Sequence, residues 1–110
     1  MFKDLKWTTL VAFVSLSCAT SLMAQDAQRG EILYDDNNCM MCHGNNGQGV
    51  PSENGPRIGG QHDWYILTSL NNFKAKVRSN PAMYPYIKSL SEQDFKDLAA
   101  YVTNLTGMEE

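Results

Sequence analysis

The stretch Cys39-Met40-Met41-Cys42-His43 decides how this chain folds. Two thiols at this spacing stand a helical turn apart, and a histidine follows directly. C-x-x-C-H is the attachment sequence of a c-type haem. The macrocycle carries two vinyl groups on adjacent pyrroles, and each thiol can form a thioether with one of them. The next residue then lies under the iron, where an imidazole nitrogen binds it as the proximal axial ligand. The two intervening positions are free, and both hold methionine.

Two other chemistries use paired cysteines. A structural zinc site wants four ligands, usually from two such knuckles, and the chain has no second C-x-x-C. A redox dithiol of the thioredoxin kind needs a βαβ pattern around it, and no strand run follows the motif. The third cysteine, Cys18, sits in an apolar leader. His43, directly attached to the pair, selects covalent haem: one haem c.

That leader, Met1 to Ala24, reads as an export signal. Lys3 and Lys6 supply a basic start, diluted by Asp4. An apolar stretch runs from Trp7 to Leu16, and Ser21-Leu22-Met23-Ala24 offers a cleavage point. The stretch is interrupted by Thr, Ser and Cys and is short for a membrane span, so no membrane insertion is expected once it is removed. Leu16-Ser17-Cys18-Ala19 faintly resembles a lipoprotein site, which leaves a lipid anchor at Cys18 as the alternative. Both readings export the chain to the periplasm, where c-type haem is attached in bacteria.

Cleavage after Ala24 leaves residues 25–110 as a single domain. It also removes Lys3, Lys6 and Asp4, which takes the formal charge from −3 to −4. That balance argues against nucleic acid and anionic membranes as partners. A domain this small buries a thin core. A large apolar macrocycle bonded to the chain supplies the missing centre.

Three segments read as helices, so the fold class is all-α. The first spans about Asp26 to Asn38, with Asp26 as N-cap and Ile32 and Leu33 on its apolar side. The second spans Asp63 to Arg78, with Asp63 as cap and Ile66, Leu70, Phe73 and Val77 at helical spacing, and Asn80-Pro81 stops it. The third begins at Ser91, whose Ser91-x-x-Asp94 is a relative of the capping box. It carries the stripe Phe95, Leu98, Val102 and Leu105 up to Gly107. Between His43 and Asp63 the chain is rich in Gly, Asn and Pro. No strand precedes that stretch and no Gly-Lys-Ser/Thr follows, so it reads as a loop around one haem edge, not a phosphate cradle.

These residues together resemble the bacterial class I cytochromes c, especially the small periplasmic branch whose unit also occurs doubled in two-haem members. The likeness covers nearly all of residues 25–110. It rests on Gly30-Glu31-Ile32-Leu33-Tyr34 in the first helix, the haem motif with Gly44, and Gly55-Pro56-Arg57-Ile58-Gly59-Gly60-Gln61-His62 in the edge loop. Tyr65 to Phe73 and Leu90 to Val102 match the middle and final helices. The resemblance implies a class I fold of three main helices around one haem. It implies an axial methionine seven residues before Leu90, which is Met83, and a backbone carbonyl at Pro56 holding the other ring nitrogen of His43. It also implies Gly30 packed against Tyr101, with Tyr34 nearby. Here Gly30 and Cys39 stand one residue further apart than is common in the family, so the first helix either bulges or ends early at Asp35-Asp36.

An inventory of methionines agrees with Met83. Met40 and Met41 are tethered beside the proximal ligand, Met1 and Met23 lie in the leader, and Met108 lies near a terminus. His62 is the rival ligand, since His/His ligation is a known alternative. Arg57 is either a propionate partner or a solvated side chain. An iron with both axial positions filled offers no open site and suits one-electron transfer, and a thioether ligand raises its potential. The expected function is therefore a single-haem electron carrier, not an enzyme on its own. Its partners would be redox proteins such as a dehydrogenase, reductase or terminal oxidase. The alternative is a dedicated haem subunit of a membrane-associated or periplasmic dehydrogenase or oxidase complex; Tyr84, Pro85 and Tyr86 either pack over the macrocycle or form an apolar contact face at the haem edge. Lys74, Lys76 and Arg78 are either a solvated helix end or a docking patch for an acidic redox partner.

Overall fold

Asp26 is the N-cap of the first helix. Its side chain accepts from the N–H groups of Gln28 at 3.0 Å and Arg29 at 3.1 Å. The structure is a computed structural model and describes residues 24–109. The export-signal reading of residues 1–24 and the lipid-site reading of Cys18 fall outside these residues, apart from Ala24 itself. Helix α1 spans Ala27–Asp36. It stops there because Asn38 takes a left-handed turn at φ 57°. The N–H of Asn38 bonds back to Asp35 O at 3.1 Å, and that of Cys39 to Tyr34 O at 3.0 Å. This is a Schellman ending with asparagine where glycine is usual. It absorbs the extra residue before Cys39 by the early stop.

Helix α2 is a single turn, Met40–His43, that carries the haem motif. A 3₁₀ turn follows at Pro51–Glu53. Helix α3 spans Asp63–Lys74, one turn shorter than its apolar pattern suggested. Lys76 sits at φ 58° just beyond it, so Val77 leaves the stripe and is 78% exposed. Asp63 is the first helical residue and not the cap, a position taken by His62 without a side-chain bond. Helix α4, Tyr84–Ile87, is a short turn that periodicity alone does not reveal. Helix α5 spans Glu92–Val102, opened by a complete capping box between Ser91 and Asp94.

The packing follows from one glycine. A Cβ built on Gly30 would stand 2.0 Å from the backbone oxygen of Asp97 and 2.8 Å from Tyr101 Cβ. Only glycine lets α1 cross α5 this closely. The buried side of α1 is therefore Gly30 and Tyr34 with Leu33 at its margin, while Ile32, expected inside, is 59% exposed. Phe95, Leu98 and Val102 of α5 join Tyr34, Leu70, Phe73, Ile87 and Leu90 in one core. Among the described residues the only β pairing is an isolated bridge between Val50 and Gly55, and no helix is long and apolar enough to cross a membrane. Over the described residues the fold is all-α: three main helices, two short α-helical turns, one 3₁₀ turn, and a long loop that closes one side of the core.

Candidate haem-binding site

Tyr34, Cys39, Cys42, His43, Met83 and the apolar faces of α3 and α5 enclose one cavity of about 340 Å³. Leu70, Phe73, Ile87, Leu98 and Val102 of the core are part of its apolar wall, with Ile58 and Ile66. Five core side chains thus stop short of closing over one another, and they leave a space walled mainly in hydrocarbon.

The proximal side is built by α2 and the loop that follows it. Gly49 N–H reaches His43 O at 2.7 Å, and Val50 N–H reaches Cys42 O at 3.1 Å. The loop then turns back at Gly55, where a Cβ would lie 1.6 Å from Cys42 O. This close approach carries the next residue under the histidine. Pro56 O stands 2.8 Å from His43 Nδ1, the contact the resemblance implied. An Nδ1–H bonded to that carbonyl leaves Nε2 as the ring nitrogen free to bind a metal. His43 is itself buried.

Cys39 and Cys42 both face the cavity and are half-buried. Burial pushes the Cys39 thiol up to about 11, with a bond to its own backbone opposing the rise. It therefore meets the cavity as a neutral, apolar group. Tyr34 closes the space behind the pair. Its hydroxyl donates to Gly44 O at 2.6 Å, and burial raises its pKa far above the usual phenol value, so it stays a donor. Its ring lies 5.3 Å from that of Tyr101.

Met83 enters from the other end of the chain, at the N-cap of α4. Asn80 holds it there: Asn80 Oδ1 accepts from Met83 N–H at 3.2 Å, and Asn80 O accepts from Tyr84 N–H at 3.0 Å. The other methionines and the rival histidine stand elsewhere. Met41 is 65% exposed and Met108 64%, while Met40 packs at the edge of the core. His62 is exposed, lies outside the cavity lining, and stacks on Trp64 with ring centres 5.8 Å apart. Arg57 reaches the cavity edge, and its guanidinium also lies against Gly107.

The sequence marks Asn80 only as part of a helix stop, although an asparagine three residues before a loop methionine can bond that residue's N–H. Arg78, singled out in the sequence for its charge alone, lines the cavity beyond the early end of α3. Tyr86, expected at the haem edge, is half exposed and lines the cavity.

The donor set fits a covalent haem. It combines two thiols a turn apart, an imidazole with one nitrogen already engaged, a thioether on a separate element, and an apolar wall.

The sequence profile of the Cytochrome c family matches residues 27–106. The chain is 39% identical over 67 residues to cytochrome c-552 of Acidithiobacillus ferridurans, a match covering 61% of this chain and 28% of that protein. It is 34% identical over 84 residues to cytochrome c-554(548) of Halomonas halodenitrificans, covering 74% of this chain and 98% of that one. A crystal structure of reduced recombinant cytochrome c4 from Pseudomonas stutzeri superposes with a TM-score of 0.65 at 31% identity, over 72% of this chain and 47% of the other. The chain thus spans less than a third of the c-552 protein and about half of the c4 chain. Profile, relatives and fold agree: this chain belongs to the cytochrome c family, among the bacterial class I cytochromes that carry covalent haem c.

Proposed function

We propose that this chain is a periplasmic single-haem electron carrier, with residues 1–24 as a removed export signal and residues 25–110 as one cytochrome c domain. Cys39 and Cys42 form the thioethers, His43 and Met83 are the axial ligands, and Pro56 O fixes the His43 ring. The bound haem supplies a one-electron iron couple; the chain supplies everything that holds the couple in place. His43 binds through Nε2 because Nδ1 is committed to Pro56 O. Met83, which lines the cavity from a separate element, would be the second protein ligand and would keep water and small ligands from the iron. The apolar wall lowers the local dielectric, which favours the less charged, reduced state together with the thioether. No side chain in the cavity is set up as nucleophile beside a base, so no bond-making step is assigned to it.

One observation carries this reading. Met83 and His43 line the same cavity from separate elements, while His62, the competing ligand, is stacked outside it on Trp64. Redox titration of the purified protein tests it. A single reversible one-electron wave, with no rapid binding of carbon monoxide by the reduced form, is the expected result. Fast carbon monoxide binding would mean an open sixth position, and the electron-carrier reading would give way to gas binding or haem catalysis.

A further inference from the structure

Gln25 stands between two anchored neighbours. Ala24 O accepts from Gln93 Nε2 at 3.2 Å, and Asp26 N–H donates to Asp97 Oδ1 at 2.9 Å. Gln25 itself is exposed, and among the described residues no hydrogen bond reaches its side chain. Removal of residues 1–24 would cut the peptide on its N-terminal side. Ala24 and its bond to Gln93 would go, while Asp26 would keep its place on α5. Gln25 would then carry a free α-amine beside its own side-chain amide, at the distance from which a γ-lactam closes.

The surroundings give that amine a poor setting for a charge. It would stand one residue before the N-cap of α1, at the positive end of a helix of 10 residues. The carboxylates that gather there already have donors. Asp26 accepts from the N–H groups of Gln28 and Arg29. Asp97 accepts from Arg29, Gln93 and the Asp26 N–H, and Asp94 accepts from Arg29 and the Ser91 N–H. Arg29, which bridges Asp94 and Asp97 at 2.6 Å, adds a positive charge of its own. An ammonium at Gln25 would compete for acceptors that are in use. A neutral terminus would not.

We propose that Gln25 of the exported chain is closed to pyroglutamate, so that α1 begins from an uncharged lactam. The proposal rests on the export-signal reading and adds a covalent modification at the terminus which that reading creates. The α-nitrogen of Gln25 attacks its own Cδ. The Nα–Cδ bond forms, the Cδ–Nε2 bond breaks, and the amide nitrogen leaves as ammonia with a proton from the amine. No electron is transferred and no co-reactant is consumed. The exposed, unbonded side chain is free to turn back on the amine, while the Asp26 bond to Asp97 holds the far side of the residue still. The ring also denies aminopeptidases the free amine they need. Asp26, which caps α1 and ties it to α5, is thereby kept from trimming.

Mass spectrometry of the haem-bearing protein isolated from the periplasm tests this, on the intact chain and on its N-terminal peptide. The expected chain covers residues 25–110 and is lighter by about 17 Da, the mass of ammonia, than one with an open Gln25. Reductive methylation should modify its lysines but not its terminus. In Gln25→Asn, whose shorter side chain cannot close a γ-lactam, the loss should vanish and the terminus should become methylated. Aminopeptidase should then shorten the variant and leave the wild type intact. A wild-type chain that starts at Gln25 with its amide and amine both present would overturn the proposal and leave the export reading standing. A chain that starts at any other residue, or at an acylated Cys18, would remove the assigned cleavage point and the proposal with it.

Discussion

Asn80 makes the smallest decisive contact in the molecule. It bonds the N–H of Met83 with its side chain and that of Tyr84 with its backbone, and so fixes the backbone that carries the thioether. Asn80→Ala should leave the fold intact at a cost of about 1 kcal/mol and loosen the Met83 side of the cavity. Carbon monoxide binding to the reduced variant, slow in the wild type, should then become measurable by stopped flow. Unchanged binding would show that Met83 is held by packing alone. At this scale the sequence was partly legible. Cys39, Cys42 and His43 declare themselves because their chemistry is fixed by spacing. Pro56 and Met83 came through resemblance, since nothing local forces a loop carbonyl or a loop methionine toward a distant ring. The roles of Asn80 and Arg78 were missed because they depend on where neighbouring helices end.

Two contacts hold the α1–α5 crossing. The first is steric: with 2.0 Å between a Gly30 Cβ and Asp97 O, Gly30→Ala must push the helices apart and should cost about 3 kcal/mol, read as a lowered denaturation midpoint. The second is polar. Asp97, only 1% exposed, receives Arg29 at 2.6 Å, the Asp26 N–H at 2.9 Å and Gln93 at 2.9 Å, and Arg29 also bonds Asp94 at 2.6 Å. Burial disfavours the Asp97 charge, but these donors outweigh it and hold its pKa below the ordinary carboxylate value. For Asp94 burial is likewise outweighed, by the Ser91 N–H and Arg29. A depressed folded pKa adds stability that is present above the unfolded value, near pH 4, and is lost as pH falls through the folded one. Asp97→Asn should therefore cost about 1–3 kcal/mol at neutral pH, and its deficit should shrink on acidification below about pH 4. A constant deficit across that range would show that charge plays no part. The capping boundary of α5 was readable because Ser91 and Asp94 act within one turn. The end of α1 at Asp36 was one of the two readings that the spacing to Cys39 offers, but the end of α3 was not readable, because left-handed Lys76 overrides an apolar pattern that continues past it to Val77. Nothing in the sequence singles out Asp97, which the α1 crossing buries.

The whole molecule is a thin core around a space that its own side chains do not fill. Leu70, Phe73, Ile87, Leu98 and Val102 line a cavity of about 340 Å³, and a domain of this size has little other apolar surface to bury. Covalent attachment should therefore be a condition of folding. Cys39→Ser or Cys42→Ser should yield little haem-bearing protein, and circular dichroism of the remainder should show reduced helix. All-α class and a single haem followed from the sequence because one motif and three amphipathic stretches leave few alternatives; only the turn after α3 sets Lys76 over the Tyr84 ring and Arg78 in the cavity lining. The central claim is that Met83 sulfur is the sixth ligand of the iron. The weak long-wavelength charge-transfer band of methionine–iron ligation in the ferric protein tests it most directly. The band should be present in the wild type and in His62→Ala, and absent in Met83→Ala. A wild-type spectrum without it, or a band that survives Met83→Ala, would contradict the account.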